Sequence, residues 1–386
     1  MDNIERLICD ILRRVPTHWR GGDDADAVAE FLGAARYHGV LPLLHEEFRG
    51  RTDIGSWPNE ILSACRNAAL AQAMFELAHR AEIARVLEGL TSVGVAPLLL
   101  KGTALAYTLY PSAALRPRAD TDVLIPARSR NETEHALDRL GYAKGAGIQG
   151  EHISSQASWS RTDRLAATHA LDIHWRINNS QILAKALDYD ELLARAARLP
   201  ALGHSAYGLA PVHALLFACI HRAGHANAPY YVNGIAHLGG DRLIWLYDIH
   251  LLVVSMSADE LVEFAELAAS KEIKAICLAA LRRTGECFAT PIPADVAEML
   301  NGAGCIEASA RYLSGGRARQ MLGDFLAFDR WSDRAAWVKE HAFPSADYMH
   351  SKYPDARDTW LPVLYARRAL TGVARLTFSR DAGHGH

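Results

Sequence analysis

Residues 98–103 read LLLKGT, and residues 116–125 read RPRADTDVLI. Together they predict an apolar strand, a turn into a helix, and a second strand that carries two carboxylates. Successive side chains of a strand alternate between its faces, so Asp120 and Asp122 should project together, roughly 7 Å apart at the backbone. Two carboxylates at that spacing can bind one or two divalent cations. Magnesium suits hard oxygen ligands best, and manganese is the alternative.

An Asp-x-Asp pair taken alone is more often part of a solvated loop or a strand edge. Here the pair leads into the apolar residues 123–125, and Pro126 ends the run. That setting places the acids at the mouth of a buried strand. Two like charges held side by side raise each other's pKa unless a cation or a basic partner offsets them. Pairing with Arg116 and Arg118 is therefore the alternative to a metal site.

The composition limits the possible classes of protein. The chain has 386 residues, of which 50% are hydrophobic and 22% charged, which is typical of a globular protein of two or three domains. The formal net charge of −3 gives no reason to expect general nucleic-acid binding. No apolar run approaches the roughly 18 residues of a membrane span, so no membrane association is expected. Six cysteines without a Cys-x-x-Cys pair, and a first segment without a signal pattern, predict a cytoplasmic protein.

Hydrophobic periodicity divides the chain into three regions and predicts an α+β fold. Residues 1–90 are expected to form an N-terminal helical region, residues 91–200 a core with a small mixed β-sheet, and residues 201–386 a C-terminal helical domain. The predicted strands of the core are 96–100, 121–125, 155–161 and 170–177. The predicted helices are 4–15, 25–37, 59–90, 103–109, 130–140, 212–221, 242–255, 258–271 and 274–284.

A Lys-Gly-Thr turn follows the first predicted strand. Gly102 would let backbone N–H groups approach a phosphate closely, and the start of the next helix favours an anion. Thr103 can cap that helix or contact a phosphate oxygen, and a Gly-Thr pair is also an ordinary helix start. Asp120 follows Gly102 by 18 positions, enough for one helix and a loop that return the chain to a neighbouring strand. Phosphates at the turn would then face a metal ion at the acids.

A third carboxylate lies in residues 171–175, which read LDIHW. Strand alternation places Asp172 and His174 on one face. Asp172 could ligate the metal ion that activates an attacking oxygen, or accept the proton of the acceptor. His174 could orient Asp172 or contact phosphate, and a hydrogen-bonded structural histidine is an equal alternative.

This combination of motifs resembles the DNA polymerase beta-like nucleotidyltransferase superfamily. More narrowly, it resembles the uncharacterised nucleotidyltransferase family of bacteria, whose genes often lie beside peptide or natural-product biosynthesis genes. Family members carry a Leu-Lys-Gly segment, an Arg shortly before Asp-x-Asp, and a later Asp-x-His-Trp. The matching residues here are Lys101, Gly102, Arg116, Asp120, Asp122, Asp172 and His174.

The resemblance implies a metal-dependent enzyme that moves a nucleoside monophosphate from a nucleoside triphosphate to a small-molecule or peptide acceptor, with pyrophosphate leaving. Natural-product or peptide modification is the expected setting. Asp120, Asp122 and Asp172 would hold the metal ion as the catalytic carboxylates. Lys101 and Arg116 would neutralise charge on the phosphates. Gly102, Thr103 and His174 would also contact the nucleotide.

Three more residues are predicted to contact the substrate. His221 and His225 stand one helical turn apart and could touch the nucleotide or the acceptor, with a polar helix end as the alternative. Asp248 lies in an apolar helix, where an unpaired acid would be costly, so it should pair with Arg or His.

Two other functions remain open at this point. One is a non-catalytic module that binds a nucleotide or a peptide. The other is a kinase-like phosphotransferase, which would produce ADP instead of pyrophosphate.

Overall fold

The computed structural model describes residues 2–22, 24–145, 150, 152–164, 166–225, 230–232, 235–237, 239–302, 307–356 and 359–378. The strands are β1 Leu98–Leu99, β2 Thr121–Leu124, β3 Ala143–Lys144, β4 Gln156–Thr162, β5 Thr168–His174, β6 Ala197–Arg198, β7 Tyr207–Gly208, β8 Tyr230–Val232 and β9 Ile235–His237. The helices are α1 Asn3–Leu12, α2 Ala25–His38, α3 Leu41–Arg49, α4 Asn59–Thr91, α5 Lys101–Ala106, α6 Arg130–Arg139, α7 Gln181–Ala184, α8 Tyr189–Ala194, α9 Pro211–His225, α10 Leu243–Ser255, α11 Ala258–Ser270, α12 Lys274–Phe288, α13 Ala294–Asn301, α14 Ala308–Ser314, α15 Arg317–Ala327, α16 Trp331–Ala342, α17 Ala346–Lys352 and α18 Leu361–Phe378.

One open sheet of seven strands forms the centre of the fold, in the order β3-β4-β5-β2-β1-β7-β6. β2 pairs with β5 in parallel, and β1 pairs with β7 in parallel, while the other neighbours are antiparallel. Helices that precede the sheet in the chain and helices that follow it flank this mixed sheet. The predicted α+β class is therefore confirmed.

The central strands are buried because their residues are apolar on the side away from the site. All four residues of β2 are buried, and Val123 is completely inaccessible. The sheet packs against α4 and α6 through a cluster that includes Leu90, Leu137 and Ile173. Strands that are buried on both sides need helices on both faces, which explains the helical flanks.

The N-terminal helices share a core with helices from the far end of the chain. Phe31 of α2 and Leu44 of α3 belong to the same buried cluster as Leu246 of α10 and Phe288 of α12. A second large cluster joins α9, α11, α12 and α13. The helices before and after the sheet therefore meet on one side of the molecule. In the described part of the chain, no helix combines the length and apolar character that crossing a bilayer would need.

Several short elements were not predicted from periodicity. α3 is absent from the predicted helices. Pro42 lies in its first turn, where proline is tolerated. Its residues Leu43, Leu44 and Phe48 are buried. β3, β6 and β7 contain two residues each, too few to show an alternating pattern. α5 begins at Lys101, two residues before the predicted start.

Glu82 holds α4 against the sheet. Its carboxylate is 8% exposed and accepts hydrogen bonds from Arg85 Nε at 2.9 Å and from the Tyr142 hydroxyl at 2.7 Å. Arg161 of β4 lies 3.1 Å from the same carboxylate. Burial opposes ionisation of Glu82, but the hydrogen bonds from Arg85 and Tyr142 and the charge of Arg161 outweigh it and lower its pKa to about 2.

Replacing Glu82 by Gln is expected to lower the free energy of unfolding by about 3 kcal/mol at pH 7, since each pKa unit corresponds to about 1.4 kcal/mol. A lowered pKa stabilises the fold above the ordinary carboxyl value of 4.5, and this contribution is lost as the pH falls towards 2. Denaturant unfolding of both proteins between pH 7 and pH 3 should show the difference shrinking below pH 4.5. Glu88→Gln, at an exposed position of the same helix, is the control and should change little.

Candidate active site

The parallel pairing of β2 and β5 brings two of the predicted carboxylates side by side. Asp122 stands directly opposite Asp172, and Leu124 stands opposite His174. Side-chain oxygen and nitrogen atoms of Asp122, Asp172 and His174 lie within 4.8 Å of one another. Among the described residues, this trio is the group of three or more acidic, histidine or cysteine side chains that could hold one ion.

Asp122 contacts a lysine and a histidine of the site. It is 5% exposed, and its Oδ1 accepts a hydrogen bond from Lys101 Nζ at 2.5 Å. His174 Nε2 lies 2.8 Å from the same oxygen. Burial alone would raise the pKa of Asp122, but the positive charge of Lys101 and the contact with His174 hold it below its usual range. Burial alone would lower the pKa of Lys101, but the charges of Asp122, Asp120 and Asp172 raise it. The lysine therefore remains charged.

Asp120 differs from its neighbour in protonation. Burial raises the pKa of Asp120 to about 7, the negative charges of Asp122 and Asp172 add to the rise, and Lys101 opposes it. Like charges that converge without a full counter-charge favour the protonated form of one of them. Asp120 is therefore partly protonated near neutral pH, whereas Asp122 remains ionised.

Asp172 is oriented by β4, the antiparallel neighbour of β5. Ser158 stands opposite Asp172 in the ladder, and its Oγ donates a hydrogen bond to Asp172 Oδ1 at 2.6 Å. Gln156 Nε2 donates to Oδ2 at 3.3 Å. Sequence reasoning missed both residues. They lie on a predicted strand at alternating positions, but nothing in the sequence indicates which strand is its partner.

The Lys-Gly-Thr turn joins β1 to α5 beside the acids. Lys101 has a φ of 50°, a left-handed conformation that costs energy for a residue with a side chain and often occurs at functional sites. A Cβ on Gly102 would lie 3.1 Å from the guanidinium of Arg116, so glycine permits this close approach. Thr103 does not cap the helix, which has six residues and no side-chain cap. Instead its hydroxyl donates to the Asp120 carbonyl at 3.4 Å.

The nearby arginines do not neutralise the acids of the site. Arg116 donates to both carboxylate oxygens of Asp248, with Nη2 2.7 Å from Oδ2, and its Nη1 donates to the Pro117 carbonyl. Arg118 instead lies 2.8 Å from Glu76 on α4. The structure therefore does not show the alternative pairing of Arg116 and Arg118 with the Asp-x-Asp carboxylates. Lys101 is the cation in contact with Asp122.

A cleft of about 710 Å³ opens over these residues. Of the predicted site residues, it is lined by Lys101, Gly102, Thr103, Arg116, Asp120, Asp122, Asp172, His174, His221 and His225. Asp248 does not line it and lies beyond Arg116. Further residues of the cleft were not predicted from the sequence and include Asn178, Asn179, Phe217, Arg242 and Trp245.

His221 and His225 form one wall of the cleft together with Trp245. The two Nε2 atoms are 3.1 Å apart, and the ring of His225 stacks on Trp245 with centroids 5.0 Å apart. Burial lowers the pKa of His221 well below its usual value, and the charge of Lys101 adds to this effect. His221 is therefore neutral at pH 7 and can accept or donate a hydrogen bond without adding charge.

The sequence of the chain matches the model of the uncharacterised nucleotidyltransferase family over residues 24–289, and the chain belongs to this family. The match covers helices α2 to α12 and the whole seven-stranded sheet, while α1 lies outside it. The predicted resemblance to the uncharacterised nucleotidyltransferase family is thereby confirmed, and the family supports nucleotidyl transfer as the general activity. A comparison with curated proteins gives no match.

Proposed function

We propose that this protein transfers a nucleoside monophosphate from a nucleoside triphosphate to a small-molecule or peptide acceptor, with release of pyrophosphate. The observation that carries the proposal is the parallel pairing that sets Asp122 opposite Asp172 on the wall of a cleft that also contains Asp120 and Lys101. Natural-product or peptide modification is the biological setting that we infer for this reaction.

The side chains of the site fit a hard divalent cation. Asp122, Asp172 and His174 offer ligand atoms within 4.8 Å of one another, and Asp120 is a third carboxylate on the wall of the same cleft. Carboxylate oxygens favour magnesium and also suit manganese. When bound, either ion would offset the charge of the triphosphate and polarise the phosphorus that is attacked. We assign Asp120, Asp122 and Asp172 as the metal-binding and catalytic carboxylates.

The remaining residues of the cleft bind and orient the substrates. Lys101 and the Gly102–Thr103 turn face the phosphates, where the lysine offsets negative charge that grows during transfer. His174 lies 2.8 Å from Asp122 through its Nε2 and is assigned to contact the nucleotide. Arg116 adds positive charge beneath the turn while Asp248 holds its guanidinium in place.

The acceptor is activated on the β5 side of the cleft. Asp172, oriented by Ser158, accepts the proton of the acceptor hydroxyl at one carboxylate oxygen. His221 and His225 contact the nucleotide or the acceptor from the opposite wall.

The direct test is product analysis with each of the four nucleoside triphosphates labelled at the α-phosphate. The protein is incubated with Mg²⁺ or Mn²⁺ and a panel of hydroxyl-bearing small molecules and peptides. Release of pyrophosphate together with a labelled adduct supports the proposal. Formation of a nucleoside diphosphate would establish kinase-like transfer, and tight nucleotide binding without any product would establish a binding module.

The protonation of Asp120 predicts that metal affinity depends on pH. A proton with a pKa of about 7 competes with the cation, so Mn²⁺ affinity should rise up to tenfold per pH unit as the pH increases towards 7, and level off above it. Calorimetric titrations with Mn²⁺ between pH 5.5 and 8.5 measure this. Asp120→Asn should bind the ion more weakly and without this pH dependence. An affinity of the unmodified protein that does not change with pH would contradict the assignment.

A further inference from the structure

A second cavity adjoins the cleft. It has a volume of about 280 Å³ and lies between α5, α9, α10 and the edge of the sheet formed by β6 and β7. It shares Lys101, Arg116, Phe217, His221 and Trp245 with the cleft, so the two spaces meet at these side chains. We refer to it as the rear cavity.

Small residues keep the rear cavity open. Ala104, Gly208, Ala214 and Ala218 occupy positions in its wall, and leucines such as Leu252 are the most frequent of the other lining residues. Protein interiors seldom contain voids much larger than one water, whose share of the liquid is roughly 30 Å³. A space of this size beside a candidate active site therefore has the character of a binding pocket.

Four of the polar side chains around the rear cavity, those of Thr108, Arg116, Asp248 and Ser255, already have hydrogen-bond partners. Thr108 Oγ1 donates to the Ala104 carbonyl at 3.1 Å, and Ser255 Oγ donates to the Leu252 carbonyl at 2.9 Å. The guanidinium of Arg116 and the carboxylate of Asp248 bond to each other.

The apolar lining and these hydrogen-bonded polar side chains favour some occupants of the rear cavity over others. A nucleobase would bury ring nitrogens and exocyclic groups with few partners, which is costly, whereas a hydrocarbon group needs none.

We propose that the rear cavity binds an apolar group of the acceptor, either an aromatic ring or a branched aliphatic chain. This inference rests on the proposed function, because the acceptor is defined by the transfer reaction. Lys101 lies at the junction, since its side chain lines both spaces and its Nζ contacts Asp122. An acceptor anchored in the rear cavity would present its polar end at this junction, beside the carboxylates and the triphosphate.

The test uses 2-phenylethanol, which joins a phenyl ring to a hydroxyl, and ethanol as the matched probe without the ring. Binding is measured by ligand-observed NMR, with and without saturating Mg²⁺ and α,β-methylene-ATP, an analogue that cannot transfer its nucleotide. We expect 2-phenylethanol to bind at least ten times more tightly than ethanol and to remain bound when the analogue is present.

Filling the rear cavity provides the variant. Ala218→Leu should weaken 2-phenylethanol binding at least tenfold, and the smaller change Ala218→Val should weaken it partly, which keeps the test valid if the leucine variant does not fold. Ala269→Leu, at an exposed position of α11, is the control and should bind the probe normally.

Three results would overturn the inference. They are equal binding of the two alcohols, unchanged probe binding in folded Ala218→Leu protein, and displacement of the probe by the analogue, which would assign the cavity to the nucleobase. Failure of the α,β-methylene analogues of all four nucleoside triphosphates to bind, with probe binding still lost in Ala218→Leu, would contradict the proposed nucleotidyl transfer while leaving the apolar pocket in place.

Discussion

Asp120→Asn protein is expected to lose about a thousandfold in nucleotidyl transfer while folding at least as stably as the unmodified protein. The loss follows because an amide cannot supply the negative charge that holds the cation, and removing a preorganised electrostatic contact commonly costs two to three orders of magnitude in rate. Stability should be retained because burial disfavours the charge of Asp120 and the charges of Asp122 and Asp172 repel it, which together raise its pKa to about 7. A neutral side chain of the same shape relieves that repulsion.

Two measurements on the same preparations decide this prediction. Pyrophosphate release reports activity, and thermal unfolding at pH 8 reports stability, since Asp120 is ionised at that pH. Asp138→Asn, at an exposed position of α6, removes a carboxylate outside the cleft and should retain full activity. Undiminished turnover by Asp120→Asn protein would refute the role of this residue, and a large loss of stability would show that its role is structural.

Asp248→Asn is expected to lower the free energy of unfolding by about 3 to 5 kcal/mol, because it leaves Arg116 buried without a counter-charge. Arg116 is 6% exposed and Asp248 is 4% exposed. The Tyr110 hydroxyl also donates to Asp248 Oδ1, at 2.7 Å, so the substitution disturbs a third buried group. Chemical denaturation at pH 7 measures the loss.

The comparison with an exposed ion pair makes the prediction specific. Arg367 and Asp355 are 3.1 Å apart with side chains 46% and 64% exposed, so Asp355→Asn should change the unfolding free energy by less than about 1 kcal/mol. Replacing Arg116 by Met and Asp248 by Leu together should recover most of the stability lost in Asp248→Asn, since no charge is then left buried. Equal losses of unfolding free energy in Asp248→Asn and Asp355→Asn would show that burial of the Arg116–Asp248 pair contributes little.

The elements that form the wall of the cleft could be predicted because they have local patterns. The apolar run before Lys101, the alternation around Asp122 and the alternation around Asp172 each identify a strand and its faces. The Gly102 position follows from its place between a strand and a helix. These features are encoded within about ten residues, where periodicity and turn chemistry act directly.

The partners of these residues could not be predicted because they depend on pairing between distant segments. Arg116 and Asp248 are separated by 132 positions, and the sequence could indicate only that the acid needs a basic partner. Ser158 reaches Asp172 through an antiparallel register that no local pattern specifies. Lys101 was expected to face phosphate, but its contact with Asp122 depends on how β1 and β2 align.

The matched positions of Asp122 and Asp172 also determine where the chain can tolerate changes in length. Adding one residue to β5 ahead of Asp172 would rotate its carboxylate to the reverse side of the sheet, where Leu171 and Ile173 are buried. A mutational scan should therefore find single insertions in this strand far more damaging than those at exposed connections such as residues 203–204.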